Sequence, residues 1–314
     1  MTKHSTPPIL FLIFNRPDTT FEVFNSIKKA KPKQLFIASD GPRNNKLGEK
    51  EIVVDLREKI ISKIDWPCEV KTLFREENLG CGKSVSSAIS WFFSNVTEGV
   101  IIEDDCVPNQ DFYPYMSELL NKYRDDKSVK FIGGSNFQNG NQRGDGSYYF
   151  SKYCHVWGWG TWKEVWEQYK YDLSNVSEEE LSKILKDCFK DLSMYNNWHR
   201  IFKKMITEPI DTWDYQLDYS IWKNNGVSII PNVNLVSNIG FGEDATHTKN
   251  KCSVYANHNT GSILPIVHPS VSISHDYQAD EYFFFNFEKR SLAKRTLFKI
   301  SLYTNKILYS LRNS

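Results

Sequence analysis

The sequence predicts an α/β protein with a mostly parallel, Rossmann-like sheet flanked by helices, and three observations predict it. Four short apolar runs, at residues 9–14, 34–39, 68–74 and 99–103, are separated by amphipathic stretches long enough to act as crossover helices. Apolar residues in those stretches recur at helical spacing: Phe21, Phe24 and Ile27, then Val53, Leu56, Ile60 and Ile64, then Val85, Ala88, Ile89 and Phe92 after Gly82. Polar and turn-forming residues follow each run, at the strand ends where open α/β sheets hold ligands.

A fifth strand is expected at 129–133, after a helix over 111–124, and a polar, glycine-rich loop at 139–147. The Arg143-Gly144-Asp145 tripeptide in that loop reads as a flexible turn. Beyond it the chain turns aromatic, with helices expected at 161–169, 177–189, 194–207 and 214–224 and strands at 227–230 and 234–237. The chain thus divides into a parallel-sheet half over 1–138, an aromatic half over 148–286, and a terminal segment over 287–314. That last segment sets seven cations against Glu288 alone, and Ala293, Leu297, Ile300, Ile307 and Leu311 give it a helical stripe. A basic amphipathic helix of this kind either lies on an anionic membrane surface or packs on the protein body.

At 314 residues the chain can bury a large core unaided, and 40% hydrophobic with 25% charged residues excludes disorder. A net charge of +1 offers no blanket of positive potential for nucleic acid. The six cysteines lie far apart without C-x-x-C spacing, and no apolar run at the N-terminus is long enough for a signal peptide or span. A cytoplasmic protein is expected.

The chemistry concentrates at the strand ends. Residues 99–102 are an apolar run that ends in Glu103-Asp104-Asp105, three adjacent acids that repel one another unless a cation offsets them. Hard divalent ions such as Mg²⁺ or Mn²⁺ take one or two carboxylates together with phosphate oxygens, so a metal–diphosphate site is expected; an acidic turn is the alternative. Gly82-Lys83-Ser84 imitates the end of a phosphate-binding P-loop, but Glu77 stands where its first glycine belongs. A helix start flanked by Lys83 can still hold phosphate, or the glycines only make the turn. Arg16, in Asn15-Arg16-Pro17, suits either a ligand's charge or a nearby acid, and Asp40, in Asp40-Gly41-Pro42, a ribose or base.

Taken in order, Phe14-Asn15-Arg16-Pro17, Ser39-Asp40-Gly41, Asn78-Leu79-Gly80 and Glu103-Asp104-Asp105 resemble the strand ends of GT-A nucleotide-sugar glycosyltransferases. The likeness spans roughly residues 8–250 and is greatest to relatives of N-acetylglucosaminyltransferase I and to bacterial surface-polysaccharide glycosyltransferases. It implies a GT-A fold with a nucleotide-sugar-binding half and an acceptor-side catalytic half that is aromatic and helical, to which the sequence adds the basic C-terminal helix. Arg16, Asp40, Asn78, Lys83, Glu103 and Asp104 would bind the nucleotide sugar, with Asp105 on a Mn²⁺ or Mg²⁺ ion. Asp104 would contact the ribose or sugar. One departure is the acid in the middle of the DXD-like triplet, as in the N-acetylglucosaminyltransferase I relatives.

The same resemblance makes the segment from His155 to Trp162 the acceptor side, with His155, Trp157 and Trp159 as contacts, and Thr212-Trp213-Asp214-Tyr215 the segment with the catalytic base, Asp214. From the residues alone, Asp214 also reads as a first-turn acid favoured by a helix dipole. His247 is expected near the metal or diphosphate and Glu243 on the acceptor side, in a loop that closes over the donor. The partners implied are a nucleotide diphosphate sugar, UDP-linked, and a glycan or lipid-linked glycan acceptor, at the inner face of the membrane if the terminal helix docks there. A sugar-1-phosphate nucleotidyltransferase and a non-catalytic carbohydrate-binding protein are the rival expectations.

Overall fold

The computed structural model describes residues 5–208, 210–241 and 258–289. In chain order the first half contains β1 (Ile9–Ile13), α1 (Pro17–Ala30), β2 (Gln34–Ser39), α2 (Glu49–Ser62), β3 (Glu69–Phe74), α3 (Cys81–Phe93), β4 (Glu98–Glu103), β5 (Cys106–Pro108), α4 (Phe112–Tyr123) and β6 (Val129–Gly133). The second contains β7 (Tyr148–Ser151), β8 (Trp159–Trp162), α5 (Lys163–Trp166), α6 (Glu178–Cys188), α7 (Leu192–Thr207), α8 (Asp214–Lys223), β9 (Val227–Pro231), β10 (Val236–Asn238) and α9 (Tyr277–Phe283), which runs into a π-turn at Phe284–Glu288.

Eight strands form one sheet in the order β3-β2-β1-β4-β8-β6-β9-β7. The pairs from β3 to β4 are parallel, as is β6 with β9, while β8 and β7 run antiparallel to their neighbours. The fold class is therefore the expected one: α/β, mostly parallel, with helices on the sheet. Alternation along β1 explains the layering. Ile9, Phe11 and Ile13 face α1, α2 and α4 through Phe24, Leu56 and Met116. Leu10 and Leu12 face the other way, into a core shared by α3 and α6 to α8 that holds Phe92, Trp198 and Trp222.

Local sequence explains most element boundaries. Pro17 opens α1, where a missing N–H is harmless, and Lys31 closes it in the left-handed conformation. Ser177 caps α6 by accepting from Glu180 N, and Asp191 caps α7 by accepting from Ser193 N and Met194 N.

Two expectations need correction. Residues 161–169 are not one helix: Trp159–Trp162 is a strand paired on both sides, with Glu98–Ile101 of β4 and with β6, and only Lys163–Trp166 is helical. Tertiary pairing overrides a pattern that fits a helix equally well. The strand expected at 234–237 lies at Val236–Asn238 and leaves the main sheet to pair with β5. Because β8 inserts between β4 and β6, the two halves share a single sheet. The basic helix expected over 287–314 lies, from residue 290 onward, outside the described residues. Among the described residues no helix is long and apolar enough to cross a membrane.

Trp159 anchors the inserted strand: it is fully buried and stacks on Phe131 and Trp213, with ring centroids 5.2 and 5.8 Å away. Trp159→Ala should cost about 3–5 kcal/mol of stability, read as a fall in urea midpoint. A loss under about 1 kcal/mol would mean that the ring does not hold the sheet together.

Candidate functional site

The carboxyl ends of β1 to β4 open onto a cleft of about 340 Å³. Its floor is apolar, with Leu12, Ala38, Val85 and Ala88, and its wall is charged, with Arg16, Asp40, Asp105 and Asp211. Ligands of open α/β sheets bind in this position, because diverging strand ends leave a crevice that loops can line.

At its centre Arg16, just past β1, reaches the acids that follow β4. One arm of the guanidinium donates to Asp104 Oδ1, and Nη1 donates to Asp105 Oδ2 at 2.9 Å. Side-chain exposure is 19% for Arg16 and 5% for Asp104, so the pairing is shielded from water and strengthened accordingly. Burial alone would lower the Arg16 pKa, but the two carboxylates outweigh it and the shift is upward. Burial raises Asp104 to about 6 although Arg16 opposes the rise. Glu103 is pushed up to about 8, chiefly by burial and then by Asp105 and Asp104.

One guanidinium thus faces three carboxylates. Asp104 Oδ2 is buried without a hydrogen-bond partner. Hard oxygen donors with surplus negative charge suit Mg²⁺ or Mn²⁺, and the residues fit such an ion. No group of three or more metal-ligating side chains converges among the described residues, so an ion here would need oxygens from a ligand as well.

The β2 and β3 ends are tied to each other. Asp40 accepts from Gly41 N at 3.0 Å and from Leu79 N at 3.0 Å, and Asn78 Nδ2 donates to Gly41 O at 2.8 Å. Burial nonetheless raises the pKa of Asp40. Three features at or behind the cleft escaped sequence reading. Arg57, inside α2, donates to the carbonyls of Asp40 at 2.7 Å and Arg75 at 2.8 Å. Arg43 lines the cleft and pairs with buried Glu49, which also accepts from Asn15 Nδ2 at 2.8 Å. Asp211 reaches across to α3, where it accepts from Gly82 N at 2.7 Å and Cys81 N at 3.1 Å. A helical arginine on a polar face and a turn aspartate carry no signal of distant contacts; only the free amides of a helix start indicate that some acceptor must come.

At the α3 start, where the sequence left open a phosphate seat or a plain turn, Asp211 takes the amides of Cys81 and Gly82, and Lys83 is exposed and does not line the cleft. Cys81 is pushed up to about 12 by burial and then by Glu103, Asp211, Asp214 and Asp40, so the thiol stays protonated.

Asp214 opens α8 half-buried, accepting from Thr212 Oγ1 and from Tyr215 N at 3.0 Å. It does not line the cleft directly, but its charge reaches Glu103 and helps raise it. Trp157 stands on the rim, edge-on to Phe241 at 5.9 Å. His155 and Trp159 are corrected from acceptor contacts to core residues. His155 is buried against Phe137 and Phe283, at 4.7 and 4.5 Å, where burial lowers its pKa to about 3. Glu243 and His247 lie outside the described residues.

No protein-family model matches the sequence, and no curated protein matches it. Among solved structures, HddC from Yersinia pseudotuberculosis is 10% identical, with a TM-score of 0.33 over 52% of this chain and 80% of that one. S. aureus TarS 1–349 is 12% identical, with a TM-score of 0.36 over 53% of this chain and 51% of its own. A putative glucose-1-phosphate thymidylyltransferase from Bacillus anthracis is 11% identical, with a TM-score of 0.33 over 69% and 94%. Likeness at this level assigns no activity.

Glu103 makes the site's charge measurable. Its folded value near 8 exceeds its ordinary 4.5, so the native state keeps the proton longer and loses stability as pH rises between those values. Glu103→Gln should therefore melt higher than the parent at pH 8, with the difference shrinking toward pH 4.5. Equal melting temperatures at both ends of that range would show that the carboxyl is not held under charge stress.

Proposed function

We propose that the protein is an inverting, metal-dependent glycosyltransferase that moves a sugar from a nucleotide diphosphate sugar, UDP-linked, to a hydroxyl of a glycan or lipid-linked glycan in surface-polysaccharide synthesis. The observation that carries this reading is the acid cluster at the end of β4, with more carboxylates than Arg16 can offset, facing a cleft at the carboxyl ends of parallel strands. The ordered strand-end motifs agree with it.

In this reading Asp105 holds Mn²⁺ or Mg²⁺ and Asp104 contacts the ribose or sugar. The bound ion would supply charge neutralisation for the departing diphosphate. Arg16 adds a fixed positive charge on the same side, and its planar fork suits phosphate as well as carboxylate. Asp40 and the Asn78 turn border the nucleotide, over the apolar floor of Leu12 and Ala38. Asp214 takes the proton of the attacking hydroxyl. Trp157 offers a flat face to a sugar ring.

A panel of nucleotide sugars with and without Mn²⁺ tests the reading: the true donor should raise the melting temperature in a metal-dependent way and be slowly hydrolysed. Pyrophosphate release from a nucleoside triphosphate and a sugar 1-phosphate would point to a nucleotidyltransferase instead. Asp105→Asn should lose metal-dependent donor binding and at least about 100-fold in turnover, and Asp214→Asn a similar factor in transfer with donor binding kept. Full transfer by either variant overturns the role given to that residue.

A further inference from the structure

Helix α3 lines the cleft through Cys81, Ser84, Val85 and Ala88, yet its N-terminus has no local cap. The residue before it, Gly80, has no side chain, and the first amides of a helix need an acceptor from somewhere. Asp211 supplies it from 130 positions away, with Oδ2 accepting from Cys81 N and Oδ1 from Gly82 N. A carboxylate there also meets the positive end of the helix dipole.

The approach is close enough to dictate two glycines. A Cβ on Gly82 would stand 2.7 Å from Thr212 O, and one on Gly80 2.8 Å from Asp211 Oδ2, where φ of +81° is in any case a glycine conformation. Behind this contact the loop is fastened to the aromatic half. Tyr169 Oη donates to Trp213 O at 3.1 Å, Gln216 Nε2 donates to Thr212 O at 3.0 Å, and Trp213 stacks on Trp159. Thr212 then hydrogen-bonds Asp214.

We propose that Asp211 is a positioning residue, whose cap on α3 sets the distance between Asp214 and the cleft. This rests on the glycosyltransferase reading and on Asp214 as its base. Asp211 reaches the cleft too, but both of its oxygens are committed to backbone amides, so it acts through the loop it anchors. An error of about 1 Å in placing a base costs up to about 100-fold in rate, which is the size of effect such an anchor controls.

The experiment compares Asp211→Ala and Asp211→Asn, by steady-state kinetics with the nucleotide sugar that the panel selects for the parent protein and by amide hydrogen exchange at Cys81 and Gly82 in the substrate-free protein. Asp211→Ala should lower kcat by about tenfold to 100-fold with donor KM within about twofold, and exchange should accelerate at both amides. Asparagine keeps one acceptor oxygen where aspartate has two, so Asp211→Asn should keep exchange slow at one of the two amides and hold kcat at least about threefold above that of Asp211→Ala. An Asp211→Asn variant as inactive as Asp211→Ala, with slow exchange, would make Asp211 a chemical participant and overturn the proposal. So would an Asp211→Ala variant with parental kcat or unchanged exchange. If the parent protein transfers no sugar from any donor, the glycosyltransferase reading fails by itself and the positioning role falls with it, while the exchange comparison still reports on the cap.

Discussion

A single guanidinium facing three carboxylates is the constraint around which the cleft is built. Arg16 leaves β1, the acids leave β4, and these strands are neighbours in the sheet, so their pairing closes the crevice from inside. Desolvation makes each charge expensive alone, and the pairing offsets that cost only for the carboxylates that Arg16 touches. Asp104 Oδ2 has no hydrogen-bond partner, and Glu103 stays raised although Arg16 opposes the shift. Such a cluster adds little to stability, since apolar side chains of similar volume would serve a fold at least as well.

The cleft is assembled from both halves of the chain. β8 enters the sheet between β4 and β6, and Trp159 on it stacks on Trp213, directly before Asp214. Asp211 makes the reverse connection, from the aromatic half to the helix that lines the cleft. The Trp213–Trp159 stack and the Asp211 cap, with the hydrogen bonds from Tyr169 and Gln216, thus hold the loop of residues 211–214. The aromatic richness of the second half serves this purpose: Trp198, Trp222 and Phe202 are buried in its core, and Trp157 reaches the cleft.

Much of this was legible from the chain alone. The parallel strands announce themselves as apolar runs because both faces of the sheet are covered, and helices α1 to α4 announce themselves by their apolar spacing. The acids at 103–105, Arg16 and Asp40 were readable as cleft residues because strand ends are marked by the loss of hydrophobicity. Arg16 was read as suited to a ligand or an acid, and the acid is what it meets. Residues 161–162 were misread as the start of a helix because a short aromatic stretch satisfies a helix and a strand equally; only the neighbours on both sides decide, and those lie far away in sequence.

The sequence by itself determined the fold class, the order of the sheet-forming runs and the residue types at the strand ends, because these follow from local periodicity and hydrophobicity. Tertiary structure decided which charges meet, that the amides of α3 are capped by Asp211 rather than left for a phosphate, and that His155 and Trp159 lie in the core. Those outcomes depend on contacts between residues as many as 130 positions apart, and no local pattern encodes the partner of a side chain that only folding brings near.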